Sequence, residues 1–222
     1  VDLAPLSVIA GANASGKSNF LDALQIIKGL ATGKTLEEAN ERRGSAATLF
    51  TNYGEGKHAD KMSFAVELLI PLKEIVTESN AHPISNRLRY ELEIANDPFD
   101  HQFFLVLEER LSVISSQADS WAKEHFTPDI IDQFVQQPSN PGGDIMHRSF
   151  LLQPGQVPAN HVSSFNERND VTWLNEQTNG KYPLASTVKR YFENQHFIDL
   201  NAVENFSNFD NPKSKGSLIY GS

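Results

Sequence analysis

The chain of 222 residues has no cysteine, two methionines and two tryptophans. Without cysteine there can be neither disulfides nor a thiolate metal site, and a cytoplasmic location is the natural expectation. No apolar run approaches the roughly 20 residues that a membrane-crossing helix needs, so no membrane partner is expected. Positive charge is scarce as well. Lys and Arg number 19 against 28 Asp and Glu, for a net charge of −9. A protein whose whole surface gripped nucleic acid would be basic, so any DNA contact has to be local. The candidates are Arg42-Arg43 and the stretch Pro212-Lys-Ser-Lys215. For the arginine pair, a solvated helix end facing the negative pole of the dipole is the plainer reading. The seven histidines show no ligand spacing, and neither an internal repeat nor a heptad run is present. What remains is ordinary for a globular protein: 39% hydrophobic and 21% charged residues, enough for one sizeable domain, or one domain with a subdomain.

One stretch stands out. Gly11 to Ser18 reads G-x-x-x-x-G-K-S, the pattern of a phosphate-binding P-loop. Ser7-Val-Ile-Ala10 before it suits a buried parallel strand. From Asn19 to Leu30 the apolar residues Phe20, Leu21, Leu24 and Ile27 recur at helical spacing, with Asp22, Gln25 and Lys28 on the polar side. Strand, glycine-bounded loop and helix form the context the motif requires. Gly11 and Gly16 permit backbone angles and close approach that a Cβ would obstruct. The amides of Asn13, Ala14, Ser15, Gly16, Lys17, Ser18 and Asn19 can then face phosphate oxygens at the positive end of the helix. Lys17 is the residue to neutralise the β- and γ-phosphates, and the Ser18 hydroxyl the one to ligate Mg²⁺. ATP and Mg²⁺ are the expected ligands.

Further along, Thr35 and Glu38 have capping-box spacing at the head of a helix reaching Arg43, which Gly44 ends. Residues 61–70 and 87–94 alternate apolar with polar, and 102–114 forms a third, longer strand signal. Half-polar, alternating strands joined by loops imply an antiparallel sheet with one wet face. Glu108 and Glu109 are neighbours on a strand, so their side chains point to opposite faces and cannot simply share a substrate. Both are read as belonging to a solvated strand edge. Thr127-Pro-Asp-Ile-Ile-Asp-Gln-Phe134 has a cap, a proline at the first helical position and an apolar face, and is expected to be a short helix. Residues 136–144, rich in Pro, Gly, Asn and Ser, should be a loop. Met146–Leu152 and Val171–Leu174 are read as two more strands, Leu184–Gln195 as a helix, and Phe197–Leu200 as a short strand or link.

The loop Gly-Ala-Asn-Ala-Ser-Gly-Lys-Ser-Asn19, followed by Phe-Leu-Asp-Ala-Leu24, resembles the heads of ABC-type ATPases of the RecF, SMC and overcoming-lysogenization-defect group within the AAA family ATPases. In that group Asn13 and Asn19 have counterparts. Tyr90-Glu-Leu-Glu-Ile94 and Leu107-Glu-Glu-Arg-Leu111 are similar to strands of its antiparallel β-layer. The segment Arg43–Gly54 resembles a loop that approaches nucleotide or DNA there. The resemblance implies an α/β fold with α+β character, a P-loop NTPase lobe carrying an antiparallel β-layer. It implies such a lobe over residues 1–204 and a polar tail, 205–222, leading to a C-terminal lobe. It further implies ATP-driven head-to-head homodimerisation in a parent acting in DNA repair and maintenance or antiphage defence. An earlier strand normally precedes the P-loop strand in such heads. Neither a strand ending in the acidic Walker B pair nor a Leu-Ser-x-Gly signature occurs in the sequence. The expectation is therefore the N-terminal portion of a larger ATPase, with negligible hydrolysis of its own. A P-loop kinase of a small molecule, and a non-catalytic module in which nucleotide regulates assembly, are the other readings of the motif. The β-rich insertion speaks against the kinase.

Overall fold

The computed structural model describes residues 12, 16–40, 50, 52–54, 57–75, 85–96, 104–137, 144–149, 172, 174 and 183–195. It is a mixed helix and antiparallel-sheet fold. Its frame is a four-stranded sheet in chain order: β3 (Lys61–Leu69), β4 (Arg87–Asn96), β5 (Phe104–Val113) and β6 (Asp144–Ser149). A small antiparallel pair precedes it, β1 (Asn52–Gly54) with β2 (Lys57–His58). The first helix is α1 (Lys17–Ala31), followed by α2 (Leu36–Ala39), α3 (Ser120–His125), α4 (Pro128–Phe134) and α5 (Pro183–Asn194).

Alternation decides the faces of the sheet. On β4, Leu88, Tyr90, Leu92 and Ile94 are all buried, as the period of two requires. Pairing sets Val66 opposite Tyr90 and Leu111 beyond it, and Met146 continues the row on β6. The other face carries Arg89, Glu91 and Glu93; Arg89 pairs with Glu67 and Glu93 with Lys61 across the strands, and Glu91 with Arg89 along β4. A register shift between Glu93 and Ile94 leaves Leu107 as the extra residue on β5. Val106, rather than Leu107, therefore completes the inner row opposite Ile94.

The inner face packs with Ile26, Ile27, Leu30 and Ala31 of α1 and with Ala185, Val188 and Phe192 of α5 in one core. Each of the larger residues contributes on the order of 1.5–3 kcal/mol by leaving water. The buried part of α1 is its C-terminal half; Phe20, Leu21 and Leu24 are only half-buried. Gly33, at φ 100°, ends the helix. Its N–H donates to Leu30 O at 3.1 Å and that of Lys34 to Gly29 O at 2.9 Å, the doubly closed turn that needs a left-handed residue at that place. Thr35 and Glu38 exchange hydrogen bonds of 2.8 and 3.2 Å, so the expected capping box is formed. Gly29 lets α2 come close: a Cβ there would stand 2.7 Å from that of Ala39.

Two readings of the sequence need correction. Glu108 is exposed, as a solvated strand implies, but Glu109 is fully buried. The two do point to opposite faces; the face that Glu109 shares is the inner one of Leu111, where Tyr90 and Leu174 supply hydrogen bonds to it. Leu174, at the end of the expected strand 171–174, has helical backbone and its N–H donates to that carboxylate rather than to a ladder; Val171 and Trp173 lie outside the described residues. The expected P-loop strand (7–10), residues 43–49 of the loop that follows the capping-box helix, Phe197–Leu200 and the tail 205–222 lie outside the described residues. So do Arg42, Arg43 and the basic stretch 212–215.

Candidate functional site

The foot of α1 is the candidate site. Gly16 caps it at φ 88° and ψ 5°, in the left-handed region that residues with a Cβ enter only at a cost of about 1–2 kcal/mol. Among the described residues nothing stands within 4 Å of where a Cβ would lie. The backbone angle is what calls for glycine. Lys17 is the first helical residue, and Phe20 N–H closes the first turn on Gly16 O at 3.0 Å. The N–H groups that begin an α-helix have no carbonyl of the same helix to bond, and the first turn carries no acidic residue. Ser18 and Asn19 are exposed. The exposed first turn thus has the positive pole of a 15-residue helix behind it.

Lys17 Nζ donates to the carbonyl oxygen of Ala12 at 2.6 Å. That bond ties Ala12 to the first residue of the helix, where an amine is placed to meet an anion bound at the helix start. Gly11, Asn13, Ala14 and Ser15, also assigned to phosphate binding from the sequence, lie outside the described residues. Ser18, expected from the sequence to ligate Mg²⁺, is the second residue of α1; no cluster of three or more His, Cys, Asp or Glu able to hold a metal ion exists among the described residues.

A family model described as "AAA domain, putative AbiEii toxin, Type IV TA system" matches residues 6–149. The chain belongs to this family. No curated protein and no solved structure matches it. The match takes in the loop, α1 and the whole four-stranded sheet, and identifies an AAA domain of P-loop ATPase type. Nucleotide binding is what such a domain is built for. None of the described helices is long and apolar enough to cross a membrane.

Glu109 reads as surface in the sequence, and the structure makes it part of a buried polar chain. Its Oε1 accepts from the Tyr90 hydroxyl at 2.9 Å and from the Leu174 N–H at 2.9 Å. The Thr172 hydroxyl, buried as well, donates to Leu30 O at 2.7 Å. Burial, reinforced by the neighbouring Glu109, pushes the Tyr90 phenol well above the ordinary tyrosine range. Thr172 meets α1 at its last turn, about 20 Å along the helix axis from Lys17 at 1.5 Å per residue. Glu109 accepts from Tyr90 and Leu174, which are not residues of the helix foot. Parity with Leu111 was the one signal in the sequence that could have placed it inside.

Proposed function

We propose that this AAA domain binds ATP with Mg²⁺ in the loop from Gly11 to Ser18, and that it is the nucleotide-binding lobe of a RecF/SMC-like ATPase working through ATP-dependent head dimerisation. The contact that carries the reading is Lys17 Nζ on Ala12 O, which sets the motif's lysine against the other end of the Gly11–Ser18 segment. The left-handed Gly16 and the acid-free first turn support it independently. Loop amides, with Gly16, Lys17, Ser18 and Asn19 nearest the helix, would hold the phosphates. Lys17 would transfer its hydrogen bond from Ala12 to a phosphate oxygen, and Ser18 would face the metal. Mg²⁺ there would neutralise charge between the β- and γ-phosphates. The toxin and type IV system in the family's description favour a defence role for the parent over DNA repair. Any DNA contact would then be made by parts other than this acidic chain as a whole.

Titration with Mg·ATP tests the assignment. Lys17→Ala should weaken binding by about 10- to 100-fold, the worth of a charge-assisted hydrogen bond, without moving the Tm. Equal affinity in mutant and wild type would remove the site from this loop. Size-exclusion chromatography of the parent ATPase with and without ATP reads dimerisation directly, and a mass unchanged by nucleotide would exclude that part of the reading.

A further inference from the structure

The excursion between β5 and β6 is held at two points by neighbouring residues where β4 begins, Asn86 and Arg87. Arg87 takes Asp119 at the head of α3, its Nε donating to Oδ2 at 2.6 Å. Asn86, 1% exposed, takes the end of α4. Its Nδ2 donates to Phe134 O at 2.7 Å, and its Oδ1 accepts from the Gln136 N–H at 2.8 Å. Its own N–H donates to Gln136 O at 3.0 Å. All three of these bonds go to backbone and leave the side chains of α4 unengaged by Asn86. No residue of α4 is buried, and the helix has only seven residues, too few to persist by themselves in water. The backbone mount, rather than side-chain packing, keeps it in place.

What is mounted there is an apolar stripe turned towards water. Ile130, Ile131 and Phe134 recur at helical spacing and share one side. Ile130 is 40% and Phe134 54% exposed. A lone exposed apolar residue needs no explanation; two on one side of a helix fixed by a buried amide do. We propose that α4 is a docking helix, and that its Ile130–Phe134 stripe takes a partner segment with an apolar side bordered by lysine or arginine. Charge chooses this occupant. Between Ser115 and Gln137 stand Asp119, Glu124, Asp129 and Asp132 against the single lysine Lys123, whose Nζ donates to Gln117 O at 3.0 Å. Asp129 and Asp132 lie across a helix about 10–12 Å thick from the stripe, about one screening length in 0.1 M salt. Such a setting attracts basic side chains and repels phosphate, which turns away nucleic acid and anionic membranes. A second copy would bring the same negative charge, and a helix about 10 Å long offers too little area for stable self-pairing.

The probe is a helical peptide of about 14 residues, leucine on one side and lysine on the other, with its leucine–glutamate counterpart as control. The full chain should bind the lysine peptide, with amide shifts in α4, and the glutamate peptide at least about tenfold more weakly. Ile130→Gln combined with Phe134→Gln should weaken the lysine peptide by about tenfold or more at an unchanged Tm. Raising salt from about 0.1 to 1 M should weaken it as well. If that double variant does not fold, Asp129→Asn with Asp132→Asn tests the charge, with a loss of about threefold expected. Equal binding by the folded glutamine variant overturns the stripe, and equal binding of the two peptides, or by the asparagine variant, overturns its preference for a basic partner. Self-association that disappears in the glutamine variant would make the occupant a second copy. Binding to phosphatidylserine vesicles through the same two residues would make it a membrane. Either result overturns the proposal.

Discussion

Strand β4 carries a buried polar knot at each of two places, and the two are built on opposite principles. At its beginning Arg87 is closed in by ions. Its Nε and Nη2 donate to the two carboxylate oxygens of Asp119 at 2.6 and 2.8 Å, and Nη2 reaches Glu67 at 3.1 Å. Nη1 donates to Leu68 O at 3.2 Å, and Trp121 lies over the guanidinium at 4.8 Å. Asp119 also caps α3 by accepting from the Ala122 N–H at 3.0 Å. At its middle, Tyr90 and Glu109 form a knot in which the donors to the carboxylate's Oε1 are neutral, a phenol and a backbone amide. The first knot fastens α3 over the outer face and, among the described residues, involves no part of α1. The second faces inward. Charge against charge secures the first; neutral donors satisfy the second.

Removing Arg87 should have the largest effect. Arg87→Ala leaves Asp119 buried and uncompensated, which costs about 3–5 kcal/mol, or a fall in Tm of about 10 °C for a chain of this size. Circular dichroism melting measures it. A loss below about 1 kcal/mol, the range of a surface pair, would put the two knots on an equal footing and undo the contrast.

Next in size are opposite responses to pH. Burial raises the Asp119 pKa, but the hydrogen bonds from Arg87 and the Ala122 N–H, with the charges of Arg87 and Lys123, outweigh it and leave the carboxyl below its ordinary value. Its stabilisation is thus complete above the unfolded pKa of about 4 and is lost as pH falls through the folded one. Tyr90 is raised, so its contribution is complete below the unfolded pKa of about 10 and is lost as pH climbs above it. Asp119→Asn should flatten the acid limb of a Tm-against-pH curve and leave the alkaline limb alone; Tyr90→Phe should do the reverse. Both variants flattening the same limb would contradict the division of roles. Tyr191, raised mainly by burial and then by Glu74, would keep part of the alkaline slope in Tyr90→Phe.

The sequence discloses these knots unequally, for physical reasons. Motif and periodicity reveal what is local. The foot of α1, the Thr35–Glu38 box, the inner row of β4 and the helix α4 are all readable from spacing. The purpose of Thr172 is not, since its acceptor lies 142 residues away in the chain and a lone threonine has no pattern. Arg87 reads as one more charge on a wet face. It is buried because α3 crosses that face, and α3 has six residues, too few for a helical period to show. Its cap Asp119 was the available clue. Glu109 is misplaced by a reading in which two adjacent glutamates look like surface, whereas parity on the strand puts one of them inside.

The smallest expected effect provides the scale for the others. Lys61 and Glu93 form a pair at 3.1 Å on the outer face of the same sheet, their side chains 60% and 25% exposed. Glu93 also accepts from the Ser63 hydroxyl at 2.9 Å, and Glu108 stands directly opposite it on β5. Lys61→Ala removes an attraction already screened by water, so the loss should stay within about 0.2–1 kcal/mol and shrink further in 1 M salt, where the screening length is about 3 Å. Urea denaturation at low and high salt measures both quantities. A loss near that of Arg87→Ala would mean that cross-strand charge, rather than burial, sets the worth of these contacts. The two knots on β4 would then owe their strength to position in the ladder and not to the exclusion of water around them.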